Sequence, residues 1–204
     1  MSKSSLFYLT LILLYLLPTL TISTPHHHHH HHHHDNHHGS KSMHLTLYQH
    51  DTINKTDFII VKGVVGPSIA ELTSPFGTIV VLKDNLTTTP NPSSKVLGNV
   101  EGIAITSSFD GLDGFSVGRV KLELENGLKG SISVVGVINA LEPSDYPVVG
   151  GTKDFLFVQG YVSLSLVSFK GASYVYRHDF HLFWPPYASK AISMLATNGS
   201  SIHG

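Results

Sequence analysis

From His44 to Trp184 the apolar residues never settle into the three-to-four-residue spacing of a helix. Short runs rich in Val, Ile, Phe and Tyr alternate instead with clusters of Gly, Pro, Asn and Asp. No other feature constrains the fold as strongly, because strands become the one regular element able to bury these residues. The runs predict strands near 44–50, 57–65, 76–83, 96–107, 115–124, 129–139, 154–169 and 173–184. The interruptions are TSP (73–75), TTTPNPSS (87–94), FDGLDG (109–114), ENG (125–127), EPSDYP (142–147) and FKGAS (169–173). ENG, between VKLEL and LKGSISVV, carries the strongest turn chemistry, since Asn-Gly accepts the positive φ of tight hairpins. Eight strands joined by short turns predict an all-β fold, an eight-stranded antiparallel β-barrel, because closure removes exposed edges. A two-sheet sandwich is the alternative.

The flanks read differently. Lys3 precedes an uncharged run from Leu6 to Leu20, and the small-residue stretch TISTP follows. That order predicts a signal peptide over 1–23, too short in its apolar part to span a membrane. Residues 24–42 contain HHHHHHHHHDNHH, a polar low-complexity segment without apolar period, expected to be disordered. The barrel domain is assigned to 43–190 and a flexible tail to 191–204. The chain is therefore expected outside the cell, with no membrane segment after cleavage. Three sequons fit that expectation, at Asn54, Asn85 and Asn198. There is no cysteine, so a secreted domain of this kind must be held by its core or by subunit contacts. A net charge of −1 with no basic stripe argues against a nucleic-acid partner.

Alternation along the strands points to candidate site residues. Leu45, Leu47, Gln49 and Asp51 fall on one face, so a carboxyl points the same way as two leucines. Burial raises a carboxyl's pKa, and a protonated acid can donate to a leaving group. Asp51 is therefore either a strand-end residue bonded to a turn or a candidate catalytic acid, with Leu47 and Gln49 beside the substrate in the second case. Ile103 and Ile105 oppose Ala104 and Thr106, and Val162, Leu164 and Leu166 oppose Tyr161, Ser163 and Ser165. Faces lined by such small residues suit a surface covered by a ligand or another subunit. His178 and His181 fall on opposite faces of the last strand and cannot share a metal there. Tyr174 and Tyr176 share a face with Phe180, Leu182 and Trp184. GxSxG, HExxH and acid-rich metal loops are missing, so no metal and no organic cofactor is expected. The chemistry left is acid–base help to an already reactive molecule.

Four segments carry a family resemblance. YQHD (48–51) resembles the first-strand YxHD of plant dirigent proteins. FGTIVVLKDNLTTTPNPSSKVLGNVEG, GLKGSISVVG and YPVVGGTKDFLFVQGYVSL resemble three further stretches of that family, in the same order. The resemblance implies secretion to the apoplast, an eight-stranded antiparallel barrel (the allene-oxide-cyclase-like fold), a homotrimer and a phenolic substrate. Lignan-forming members carry an aspartate after the glycine of GSxLxxxG and an arginine before VVGG. Here Val137, Ile138 and Asn139 follow Gly136, and Ser144 stands at the arginine position. Two aromatic positions of that group correspond to Ile103 and Ile105, which are therefore expected to bind substrate; Arg119, on one face with Lys121, is the candidate to replace the arginine, with an ordinary charged rim as the alternative. LFVQGYV and FHLFWPPYA look more like the pterocarpan synthase branch. The resemblance then implies a hydro-lyase that dehydrates a 4-hydroxyisoflavan through a quinone methide and closes a pterocarpan ring. The alternatives are a non-catalytic dirigent orienting phenoxy radicals from an external oxidase, and a wall-binding protein without stereochemical activity.

Overall fold

Period-two alternation becomes strands wherever neighbours complete the ladder, and this happens along nearly the whole of residues 41–188, which the computed structural model describes. The expected signal peptide, residues 24–40 of the His-rich segment, residues 189–190, the tail 191–204 and Asn198 lie outside the described residues. Lys41 and Ser42, assigned to the His-rich segment, instead begin the first strand.

Nine strands form: β1 (Lys41–Thr52), β2 (Asp57–Val61), β3 (Ile79–Thr87), β4 (Val96–Thr106), β5 (Asp113–Glu123), β6 (Lys129–Asn139), β7 (Ser144–Lys153), β8 (Gln159–Lys170) and β9 (Ser173–Trp184). They pair in the order β1-β9-β8-β7-β6-β5-β4-β3-β2, and β3 also pairs back onto β1 from Tyr48↔Thr87 to His50↔Asn85. An eight-stranded antiparallel barrel closes in this way, as the sequence predicts. Its membership differs, however. After a turn in which Asn54 takes a φ of 61°, β2 continues the line of β1 along the same edge of β3. β1 and β2 thus make one broken stave, and the segment near 57–65 adds none.

The eighth stave is β7, whose start the sequence marks as a break because it reads EPSDYP. Pro147 is tolerated because β7 pairs β8 through Ser144–Pro147 and β6 only from Val148 onward. The proline sits where the strand changes partners, so its missing N–H breaks no β6 rung. The strand expected from 154 begins only at Gln159, because Lys153 and Phe157 take positive φ and turn the chain. The ENG hairpin forms as expected, with Gly127 at φ 86° and its N–H donating to the Leu124 carbonyl.

One end of the barrel is solid. Leu47, Leu86, Leu122, Ile132 and Phe180 are almost fully buried there, and Phe155, from the turn after β7, plugs the end 6.1 Å from the Trp184 ring. At the other end the connection from 62 to 78 folds over the mouth. Tyr174 ties it down by donating its hydroxyl to the Glu71 carbonyl at 2.6 Å, and the Ser74 N–H donates to the Gly111 carbonyl. On the outside, Val81, Ile105, Phe115, Val117 and Val137 leave apolar surface on β3 to β6.

Candidate active site

The interior is hollow on the side of β4 and β5 because the inward positions there are small. Gly102, Ala104, Ser116 and Gly118 face a space that Leu and Phe fill elsewhere, leaving a cavity of about 180 Å³. Its wall is mostly aliphatic, completed by Tyr146 and Tyr176, with Gln49, Asp51, Asp57, Ser116 and His178 as polar exceptions. Toward the mouth a vestibule of about 160 Å³ follows, lined by Asp51, Asp57, Tyr174 and Tyr176 from the barrel and Ile69 and Leu72 from the covering segment. A larger groove of about 450 Å³ on the outer surface near Asn85 and Lys121 is open and edged by exposed charges. It holds none of these groups.

Asp51 lies at the boundary between cavity and vestibule and is only 7% exposed. Burial pushes its carboxyl up to about 8, with the nearby Asp57 and Asp84 carboxylates adding to the effect. Burial also raises Asp57, to about 6, while its hydrogen bond with Asp51 pulls the other way. Asp51 Oδ1 and Asp57 Oδ1 are both buried without another partner among the described residues. A single proton shared by the two carboxyls resolves this, since two ionised carboxylates in contact repel. Asp84, fully buried behind them, is also raised by burial, against hydrogen bonds from Thr56 and Gln49.

A second polar chain runs deeper. Gln49 Nε2 donates to Asp84 Oδ2 at 2.6 Å, and Gln49 Oε1 faces His178 Nε2 at 2.7 Å. Burial lowers His178 to about 4, so the ring is neutral. Among the described residues no group of three or more His, Cys, Asp or Glu is arranged to hold a metal ion. No helix among them is long and apolar enough to cross a membrane.

Of the expected site residues, the structure brings Asp51 and Gln49 to the cavity. Leu47 is fully buried in the core and is not part of the cavity wall. Ile103 and Ile105 are corrected: Gly102 and Ala104 line the cavity, so strand alternation turns the isoleucines outward, with Ile105 36% exposed. Arg119 is corrected for the same reason; it lies outside, paired with Glu101 at 2.6 Å. Asn54 and Asn85 are exposed.

Asp57, Asp84 and His178 are the site residues that sequence reasoning missed. Two left a signal. His178 sits in the even-numbered inward stripe of Tyr174, Tyr176, Phe180 and Leu182, and Asp84 alternates with Leu82 and Leu86. Asp57 left none, because it reaches the cavity only through the broken β1–β2 stave.

A closed antiparallel barrel with a hollow interior and buried carboxyls at one mouth is the class of fold this chain adopts. Residues 42–183 match the family described as dirigent-like protein, and the chain belongs to that family. Pterocarpan synthase 1 of Glycyrrhiza echinata is 28% identical over 194 residues, covering 90% of this chain and 99% of that protein. Pterocarpan synthase 1 of Glycine max is 30% identical over 130 residues, covering 61% and 68% respectively. The solved structure of the pterocarpan synthase dirigent protein GePTS1 superposes with a TM-score of 0.63 at 24% identity, covering 71% of this chain and 91% of that one, and supports the fold.

Proposed function

We propose that the chain is a secreted, glycosylated dirigent-type hydro-lyase that removes water from a 4-hydroxyisoflavan and closes a pterocarpan ring. The observation that carries this reading is the buried Asp51 carboxyl at the edge of an apolar cavity with Asp57 beside it, where burial pushes Asp51 up to about 8. Asp51 donates that proton to the benzylic hydroxyl, and the C–O bond breaks as water leaves. Electrons from the phenol para to that carbon complete a quinone methide that is still protonated on its oxygen. The 2′-hydroxyl then attacks the same carbon and returns its proton to the carboxylate. Asp57 shares the proton with Asp51 before the transfer and again after its return, and the covering segment excludes water. Holding the two reacting ends of one molecule together contributes several kcal/mol.

Cavity and vestibule together reach only the lower end of the roughly 300–1,000 Å³ usual for small-molecule pockets. That is room for one phenolic molecule rather than two radicals. The apolar outer band on β3 to β6 supports assembly into a homotrimer, and exposed Asn54 and Asn85 support glycan attachment. The test is incubation of the purified chain with a 4-hydroxyisoflavan and no oxidase. Pterocarpan formation is the expected result. No product without an oxidase, together with enantiomeric excess in a lignan formed with one, would overturn it in favour of radical orientation.

A further inference from the structure

The Asp84–Gln49–His178 chain has no part in the steps above, yet it fixes a chemical state. Gln49 can donate only from its amide nitrogen, and that nitrogen is committed to Asp84. The reverse amide orientation would set its oxygen against a carboxylate oxygen. Gln49 Oε1 must therefore accept from His178, which places the imidazole proton on Nε2. Nδ1 is then the ring's acceptor, and among the described residues it has no hydrogen-bond partner. The ring forms part of the cavity wall.

Its position matters as much as its tautomer. Asp51 is opposite Tyr174 and Leu47 is opposite His178 in the β1–β9 register. The acid and the imidazole are therefore four residues apart along the barrel, about 13 Å at a strand's rise. A phenolic oxygen and a hydroxyl on the benzylic carbon para to it, with a hydrogen bond at each end, span roughly 12 Å. That span is comparable with the backbone separation of the two residues along the strands.

We propose that His178 is a catalytic residue, whose Nδ1 accepts the phenolic hydroxyl para to the carbon that loses water, so that the site takes only p-hydroxybenzylic alcohols with that phenol free. The assignment rests on the dehydration reading. As the benzylic C–O bond breaks, the phenolic O–H bond breaks too; its proton passes to Nδ1 and its electrons flow to the departing hydroxyl. Water leaves with the Asp51 proton. On ring closure the 2′-hydroxyl proton goes to Asp51, and His178 returns its proton to the phenolic oxygen. No oxidant or reductant is needed. Burial keeps the imidazole neutral and ready to accept at wall pH.

The experiment uses two unreactive probes, an isoflavan with the phenol free and its methyl ether, both lacking the 4-hydroxyl. The wild-type chain should bind the free phenol at least tenfold more tightly, and His178→Phe should bind both within twofold. Equal discrimination in both proteins, or none in the wild type, would overturn the proposal. ¹⁵N NMR of the wild-type imidazole needs no folded variant: the unprotonated Nδ1 signal should shift with the free phenol and stay in place with the ether, and no shift with either would overturn the proposal. In turnover of the free 4-hydroxyisoflavan, His178→Phe should lose about 10²-fold in kcat; a loss below threefold would overturn it. Failure of the wild type to turn over would sink the dehydration reading alone, leaving the binding contrast and the NMR shift to decide His178.

Discussion

The two ends of the barrel are built from the same alternating strands and do opposite things. At the solid end, inward positions carry Leu47, Leu86, Leu122, Ile132 and Phe180, and a turn adds Phe155 as a plug. At the hollow end the inward positions shrink to Gly102, Ala104, Ser116 and Gly118, and carboxyls occupy the mouth. The backbone is indifferent to the change. Side-chain volume at a few inward positions decides whether a stretch of barrel stabilises the fold or holds a ligand. The solid end offsets what the hollow end gives up in packing and in buried carboxyls.

Breaking the solid end should produce the largest effect. Phe155→Ala removes a fully buried ring packed on Trp184 and should lower stability by about 3–5 kcal/mol. Denaturant unfolding measures it; a loss below about 1 kcal/mol would mean that the plug is not part of the core. At the hollow end the signs should separate. Asp51→Asn should reduce turnover by about 10²-fold or more, equivalent to about 2.7 kcal/mol. The same change should raise the melting temperature at pH 7, because the folded state no longer has to keep a carboxyl protonated against its ordinary pKa. Asn can still donate to Asp57. A variant that loses both activity and stability would make Asp51 a structural residue.

This division also explains what the sequence could and could not reveal. Periodicity shows strand type, because each run obeys period two whatever it pairs with. It misplaces β7, because a proline that reads as a break is harmless where the strand switches from β8 to β6, and partner exchange is a property of the assembled sheet. Asp51 and Gln49 are legible because they continue a leucine face. Ile103, Ile105 and Arg119 fail together: alternation places each on a face but does not say which face is inward. The small residues opposite them, Gly102, Ala104 and Gly118, are the better signal, since a hollow requires missing volume. The pairing of Asp51 with Asp57 is long-range in geometry though only six residues apart, and no spacing rule announces it.

pH separates the ends further, by about 2 kcal/mol. Asp51 rises from 3.8 unfolded to about 8 folded, so between these values the folded state holds a proton that the unfolded chain has lost. Its contribution is full below about 4 and is lost as pH rises toward about 8. His178 falls from 6.5 to about 4, so its contribution is full above 6.5 and is lost as pH falls toward about 4. Stability should peak in mild acid. Between pH 6.5 and 8 one proton accounts for a fall of about 2 kcal/mol, which Asp51→Asn should flatten and Phe155→Ala should leave unchanged in slope. A wild-type profile with no fall across that interval would contradict the buried protonated carboxyl.

The smallest effect tests the inside–outside assignment itself. Arg119 meets Glu101 at 2.6 Å, but the two side chains are 55% and 32% exposed, so solvent screens the pair. Exposed pairs of this kind contribute roughly 0–1 kcal/mol. Arg119→Ala should therefore change unfolding free energy by about 0.5 kcal/mol or less and turnover by less than twofold, even though Ser144 stands where lignan-forming members carry an arginine. The reason is steric. Its strand neighbours Gly118 and Val120 line the cavity, and one residue of register separates an inward side chain from an outward one. A tenfold loss of turnover in a normally folded variant would mean that β5 presents its other face to the substrate. The hollow would then have to be redrawn around Val117 and Arg119 instead of Gly118 and Val120.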